Sequence, residues 1–323
     1  MSTMNQTNTT KTWAIQPWIM QRADPYVYRH TDGCYYFTAS VPEYDRIILR
    51  RGKSLQELAD TEEVVLWHRH ESGIMSCHIW APELHYLDNA WYIYFAAGAV
   101  EDVWAIRPYV IRCTGEDPIT GHWEELGQVQ PYDEYTFQDF SLDMTVFTHR
   151  EKLYTVWAEK VSVGKKISNL YIAEMENPWK LGTPQVLLSS PDYGWEREDF
   201  WVNEGPAVIR HGKKLFLTYS ASATGACYCM GLLSIEEDRD LLDPENWEKS
   251  RCPVFMTQEK LGIYGPGHNS FTVDKTGEND ICVYHARPYR DITGDPLYDP
   301  NRHAYLMNMK WDERGYPVFS PAP

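Results

Sequence analysis

Five polar residues recur at nearly even intervals along the chain. They are Asp24, Glu83, Asp143, Glu204 and His268, separated by 59, 60, 61 and 64 residues. Carboxylates drawn into one cleft repel each other, which raises the pKa of some of them. Hydrolysis of a glycosidic bond needs that split: one carboxyl kept protonated as general acid, another ionised as base or nucleophile. Asp24, Asp143 and Glu204 are the candidate catalytic triad. Asp143 gives the strongest individual signal, because a carboxylate opening the apolar run Phe140-Ser-Leu-Asp-Met-Thr-Val146 is costly unless paired or used. Taken singly, Asp24 before Pro25 reads as a turn residue and Glu204 before Gly205-Pro206 as a loop charge. Glu83 has a structural alternative, holding neighbouring strands through backbone hydrogen bonds, and His268 that of a satisfied interior histidine. Recurrence at one phase favours a site over five coincidences.

Sugar-facing candidates flank these residues. Trp80, Phe140 and Trp201 each stand within three positions of a motif carboxylate and offer apolar faces. His78 and Asn203 offer hydrogen bonds to hydroxyls, and Glu83 joins the same substrate-facing set.

The elements that must position these groups repeat with them. Each polar residue opens a strand, a short turn and a second strand rich in aromatics, as in Asp24-Pro-Tyr-Val-Tyr followed by Cys34-Tyr-Tyr-Phe-Thr. The turns Asp32-Gly33, Asp88-Asn89, Arg150-Glu151, His211-Gly212 and Thr276-Gly277 mostly carry hairpin residues. Outer strands follow at Arg46–Arg50, Tyr109–Arg112, Leu170–Ala173, Cys229–Leu233 and Ala304–Asn308. One such unit cannot bury its apolar face alone, whereas five packed radially can. The chain therefore reads as all-β, a five-bladed β-propeller forming a single domain over residues 1–323, with residues 1–15 as an N-terminal extension. In a propeller the inner strands line the axis, so the five polar side chains converge at one mouth. Helix is expected only as single turns at Ser54–Leu58 and Asp243–Trp247.

Composition narrows the function classes. The 13 Trp, 22 Tyr and 10 Phe suit pleated, half-buried surfaces. A formal net charge of −16 with no basic run disfavours nucleic acid and anionic lipid as partners. No stretch approaches the roughly 18 apolar residues of a membrane span. Met1–Thr12 is polar without an apolar core, and the seven cysteines are scattered without zinc-site spacing. Together these lead to the expectation of a cytoplasmic protein with reduced thiols.

The motifs resemble those of glycoside hydrolase family 43, the five-bladed arabinofuranosidases, arabinanases and β-xylosidases. The resemblance runs from Arg22 to about Tyr305. It rests on Ala23-Asp24-Pro25, Trp80-Ala-Pro-Glu83, the Asp143 strand, Asn203-Glu204-Gly-Pro206, Gly267-His268-Asn-Ser270 and Tyr284-His-Ala-Arg287. It implies an inverting mechanism with Asp24 as general base, Glu204 as general acid and Asp143 as the residue that raises the Glu204 pKa. Acid and base would stand ~6.5–9.5 Å apart to admit water. It also implies Arg287 beside the base and the sugar, and His268 at the axis, where relatives hold a calcium ion or water cluster. The chemistry itself would need no cofactor. Leu142-Asp143-Met144 departs from the commoner Ile-Asp-Pro. Within the family, Gln21–Tyr26 and Ala39–Asp45 look most like exo-acting α-L-arabinofuranosidases, with arabinose-containing oligosaccharides as substrates. A β-xylosidase or endo-arabinanase shares the triad. A non-catalytic carbohydrate-binding propeller has no use for three crowded acids.

Overall fold

The computed structural model describes residues 13–163 and 165–321. Five antiparallel sheets follow one another along the chain, each with its first strand innermost. The first comprises β1 (Ala23–Arg29), β2 (Tyr35–Ser40), β3 (Arg46–Gly52) and β4 (Val64–His68). The second comprises β5 (Cys77–Leu87), β6 (Ala90–Ala99), β7 (Asp102–Cys113) and β8 (Trp123–Gln128). The third holds β9 (Ser141–His149), β10 (Lys152–Val163) and β11 (Lys165–Asn177), with short β12 (Lys180–Leu181) and β13 (Val186–Ser189) both pairing with β11. The fourth runs β14 (Asn203–His211), β15 (Lys214–Ala221), β16 (Cys229–Glu236) and β17 (Glu248–Lys249). The fifth has β18 (Tyr264–Val273), β19 (Asp280–Arg287) and β20 (His303–Asn308), followed by a small hairpin of β21 (Lys310–Trp311) and β22 (Pro317–Val318).

The fifth blade takes its missing outer strand from the start of the chain. The Trp18 and Ile19 N–H groups donate to the Ala304 carbonyl at 2.7 and 3.2 Å, and Ala304 N–H donates back to Ile19 at 2.9 Å. Ala14 is buried in the same blade, and Tyr284 Oη donates to its carbonyl at 2.9 Å. The expected extension over residues 1–15 is thus shorter where it can be seen; residues 1–12 lie outside the described residues.

Apolar clusters fill the gaps between blades around the whole ring. Tyr36, Ile47, Trp91 and Ile111 join the first two blades, and Tyr94, Val110, Met144 and Trp157 join the next pair. Leu170 and Ile172 meet Leu215 and Leu217 between the third and fourth. Met230 packs with Tyr284 between the fourth and fifth. Phe37, Ile48, Val283 and Leu306 close the circle. Trp91 and Trp157 are fully buried, and aromatic rings of this size dominate such interfaces because each removes ~150–250 Å² from water. The expected helical turns appear as α1 (Leu55–Asp60), whose cap Ser54 accepts the Glu57 N–H, and as a 3₁₀ turn at Pro244–Asn246.

Every inner strand breaks register at the same end. The bulges fall between Ala23 and Tyr26, Trp80 and Glu83, Glu204 and Ala207, and Gly267 and Ser270, and opposite Val156/Ala158 in the third blade. A residue with positive φ sits in each: Asp24 (52°), Ala81 (45°), Asp143 (56°), Gly205 (54°) and His268 (41°). Such bulges re-aim a side chain toward a site, and each non-glycine in this region costs on the order of 1–3 kcal/mol. The structural phase therefore corrects the sequence reading. Glu83 lies two residues beyond its blade's equivalent position, and Glu204 lies one before.

Candidate active site

The bulges gather Asp24, Asp143, Glu204 and His268 at one mouth of the axis. Asp24 is held by cations and donors. Ser40 Oγ donates to its Oδ2 at 2.5 Å, while His268 Nδ1, His285 Nδ1 and Arg302 Nη1 stand 3.3, 3.2 and 3.5 Å from its Oδ1. Burial opposes the carboxylate, but the His268 and Arg302 charges outweigh it and hold Asp24 far below the usual range. Ser40 also accepts the Ala81 N–H at 2.7 Å, tying the first blade to the second. His285 accepts the Asp24 backbone N–H at 3.0 Å, and its burial pushes the imidazole down to about 3, so this ring is neutral.

The side that holds Asp143 and Glu204 is built differently. Burial pushes Asp143 up; His268 opposes, Glu204 and Asp24 add to the rise, and the group reaches about 7. Gly205 N–H donates to its Oδ2 at 3.0 Å. Burial raises Glu204 too, against the hydrogen bond from Tyr228, the His268 charge and Lys160. Tyr228 Oη donates to Glu204 Oε1 at 2.9 Å. His268 lies between the two sides. Burial favours its neutral form, but Asp24, Asp143, Glu204 and Glu83 raise it, and its Nδ1 is also 3.8 Å from Asp143 Oδ2.

An aromatic wall is built around Trp80, next in the chain to the Ala81 that Ser40 holds. His78 stacks on Trp80 at 4.4 Å, Phe140 lies 6.4 Å from Trp80, and Lys160 Nζ sits 3.7 Å over Phe140. Trp104 extends the wall, 5.1 Å from His78 and 6.3 Å from Phe140, with 52% of its surface exposed. Trp104 lies on β7 and escaped the sequence reading, because none of the five recurring polar residues stands near it in the chain. Ser40, Tyr228, His285 and Arg302 were missed as well; Tyr284-His285-Ala-Arg287 held a signal, but it drew attention to the arginine.

Several expected contacts go elsewhere. The guanidinium that reaches Asp24 belongs to Arg302. Arg287, 3% exposed, gives its Nε to Asp299 at 3.1 Å, Nη1 to the Thr224 carbonyl at 2.7 Å and Nη2 to the Pro296 carbonyl at 2.6 Å. Asn203 is fully buried between Glu196 and Ser189, its amide spent on both. Trp201 lies under Arg197 at 4.3 Å and lines a separate cavity of about 380 Å³ with Tyr171 and Leu187. Glu83 pairs with His85 at 3.0 Å, further along its strand than the triad residues along theirs.

The axial calcium implied by resemblance finds no matching ligand set. Calcium takes roughly six to eight oxygens, whereas His268 presents a nitrogen whose proton the facing carboxylates retain. Among the described residues no group of three or more His, Cys, Asp or Glu is arranged to hold a metal.

Three acids thus meet at one mouth of a five-bladed propeller, one held low and two raised. Residues 16–317 match the family model "Glycosyl hydrolases family 43", and the chain belongs to that family. It is 51% identical over 303 residues to the extracellular exo-α-(1→5)-L-arabinofuranosidase of Streptomyces avermitilis, covering 94% of this chain and 62% of that protein. The enzyme of the same name from Streptomyces chartreusis is 50% identical over 280 residues, covering 87% of this chain and 84% of that one. The crystal structure of an α-L-arabinofuranosidase from Lactobacillus brevis superposes with TM-score 0.90 at 50% identity, over 94% of this chain and 95% of that one. This chain thus spans less than two thirds of the S. avermitilis relative.

These names overturn the expectation of a cytoplasmic protein, since both Streptomyces relatives are called extracellular. The thiols that motivated it report little on compartment. Cys113, Cys229 and Cys282 are buried and pack as small apolar groups wherever the chain resides.

Proposed function

We propose that this protein is an α-L-arabinofuranosidase that removes terminal arabinofuranose from arabinose-containing oligosaccharides with inversion. The observation that carries the reading is the opposite tuning of Asp24 and Glu204, two carboxylates at one mouth. Asp24, ionised, takes a proton from water attacking the anomeric carbon. Glu204, kept protonated beside Asp143, delivers its proton to the departing glycosidic oxygen as that bond breaks. Asp143 and Glu204 hold one proton between them, and Asp143 keeps it available to the acid. His268 balances the crowded negative charge, and no metal or organic cofactor enters the steps. Trp80 and Phe140 supply the apolar side of the sugar pocket. The names of the three relatives support the arabinofuranoside over the xyloside.

The test is hydrolysis of p-nitrophenyl α-L-arabinofuranoside beside p-nitrophenyl β-D-xylopyranoside, with the first sugar product followed by proton NMR. Arabinoside preference with initial release of the β-anomer is expected. Xyloside preference would reassign the substrate, and initial release of the α-anomer would end the inverting assignment.

A further inference from the structure

We infer that Tyr228 is a positioning residue for the proposed acid, fixing the Glu204 proton on Oε2, with Arg287 acting through the loop that carries the tyrosine. The inference rests on the reading of Glu204 as general acid.

Tyr228 is 2% exposed, its ring stacked on His285 at 5.6 Å with planes 12° apart. From there its hydroxyl donates to Glu204 Oε1 at 2.9 Å. A phenol buried here stays protonated, because burial and then Glu204 and Asp143 push its pKa well above the usual value. It is therefore a permanent donor. A protonated carboxyl carries its hydrogen on one oxygen, and an oxygen already accepting from Tyr228 is the poorer place for it. The proton is steered to Oε2, the oxygen left to face the leaving group.

The fold makes room for this contact. A Cβ on Gly267 would lie 2.4 Å from the Tyr228 ring, and one on Gly265 would lie 2.2 Å from the Gly225 carbonyl at the start of the same loop. Tyr228 N–H donates to that Gly225 carbonyl at 3.2 Å. Arg287 grips the loop at the Thr224 carbonyl and anchors it to Asp299 and Pro296. Tight packing of this kind transmits a displacement at Thr224 to the hydroxyl at Glu204.

The sign of the effect follows from the hydrogen bond. Donation to Glu204 favours its ionised form and lowers its pKa; removing the donor raises it. Tyr228→Phe, which keeps the ring, is expected to move the alkaline limb of kcat/KM upward by about one pH unit, the size of a lost hydrogen bond to a charged group. It should also reduce kcat on arabinobiose, whose leaving alcohol needs the proton, about tenfold. Turnover of the 2,4-dinitrophenyl arabinofuranoside, whose leaving group departs unaided, should stay near wild type. Arg287→Gln should shift the limb the same way by less, with no further shift in the Tyr228→Phe background. An unmoved limb with equal losses on both substrates would reduce Tyr228 to packing and overturn the inference. Glu204→Gln run alongside separates the two questions: if it shows no leaving-group dependence, the acid assignment itself fails.

Discussion

The two sides of the axial mouth hold the same chemical group and treat it oppositely. Asp24 is ringed by the His268 and Arg302 charges, the Ser40 hydroxyl and the backbone-fixed His285. Glu204 has one phenolic donor and a second carboxylate that competes for the same proton. Burial penalises both anions, so the neighbours decide which ionises. The two carboxyls are tuned apart because one cradle is cationic and the other is crowded with negative charge.

The largest effects test that assignment directly. Asp24→Ala and Glu204→Ala should each lower kcat on arabinobiose by ~10²–10⁴-fold. Only the Glu204 variant should recover toward wild type when the leaving group improves. Equal sensitivity of the two variants to leaving group would erase the distinction between the cradles.

Next in size are the pH shifts. Wild-type activity should persist well into acid, because Asp24 must be ionised and is held low. It should fall as pH rises past about 7, where the Asp143–Glu204 pair loses its proton. Arg302 bears on Asp24 and is absent from the neighbours that tune Glu204. Arg302→Met should therefore bring the acid limb up into the measurable range and leave the alkaline limb in place. His268→Phe removes a charge that lowers all three carboxyls, so both limbs should rise together. The pH profiles of kcat/KM distinguish these outcomes. A common shift in both variants would mean the two sides are not separately tuned.

How much of this was legible in the chain depends on whether local pattern or the ring set it. The blades were readable because each hairpin carries its own alternation and turn, down to Asp88-Asn89 and Arg150-Glu151, whose φ values are all positive. Asp24 and Asp143 were readable because each opens an apolar strand. The bulge that places Ala81, and not Glu83, level with them leaves no composition signal. Arg302 stands where Arg287 was expected, because Arg287 is spent on Asp299 and on the Thr224 and Pro296 carbonyls, contacts that only the folded chain brings together. Asn203 lies next to Glu204 in sequence, yet strand alternation turns it inward to Glu196. The closing strand at Trp18-Ile19 was hidden for a related reason: it is complete only when Ala304, nearly the whole chain away, lies beside it.

The smallest expected effect separates the two ends of the aromatic wall. Trp80 is 7% exposed and wedged against Tyr44 and His78, so its removal leaves a cavity. Trp80→Ala should cost ~3–5 kcal/mol of stability, visible as a lower Tm. Trp104 is half exposed at the outer end and meets His78, Trp80 and Phe140 from one side only. Trp104→Ala should leave Tm within about a degree or two, as surface substitutions do. If its free face stacks against the substrate beyond the cleaved bond, the loss is worth ~0.5–1.5 kcal/mol. KM for arabinotriose would then rise roughly three- to tenfold with kcat unchanged, while KM for methyl α-L-arabinofuranoside stays put. An equal rise for both substrates would place Trp104 against the terminal sugar itself, and no rise for either would leave it a surface ring.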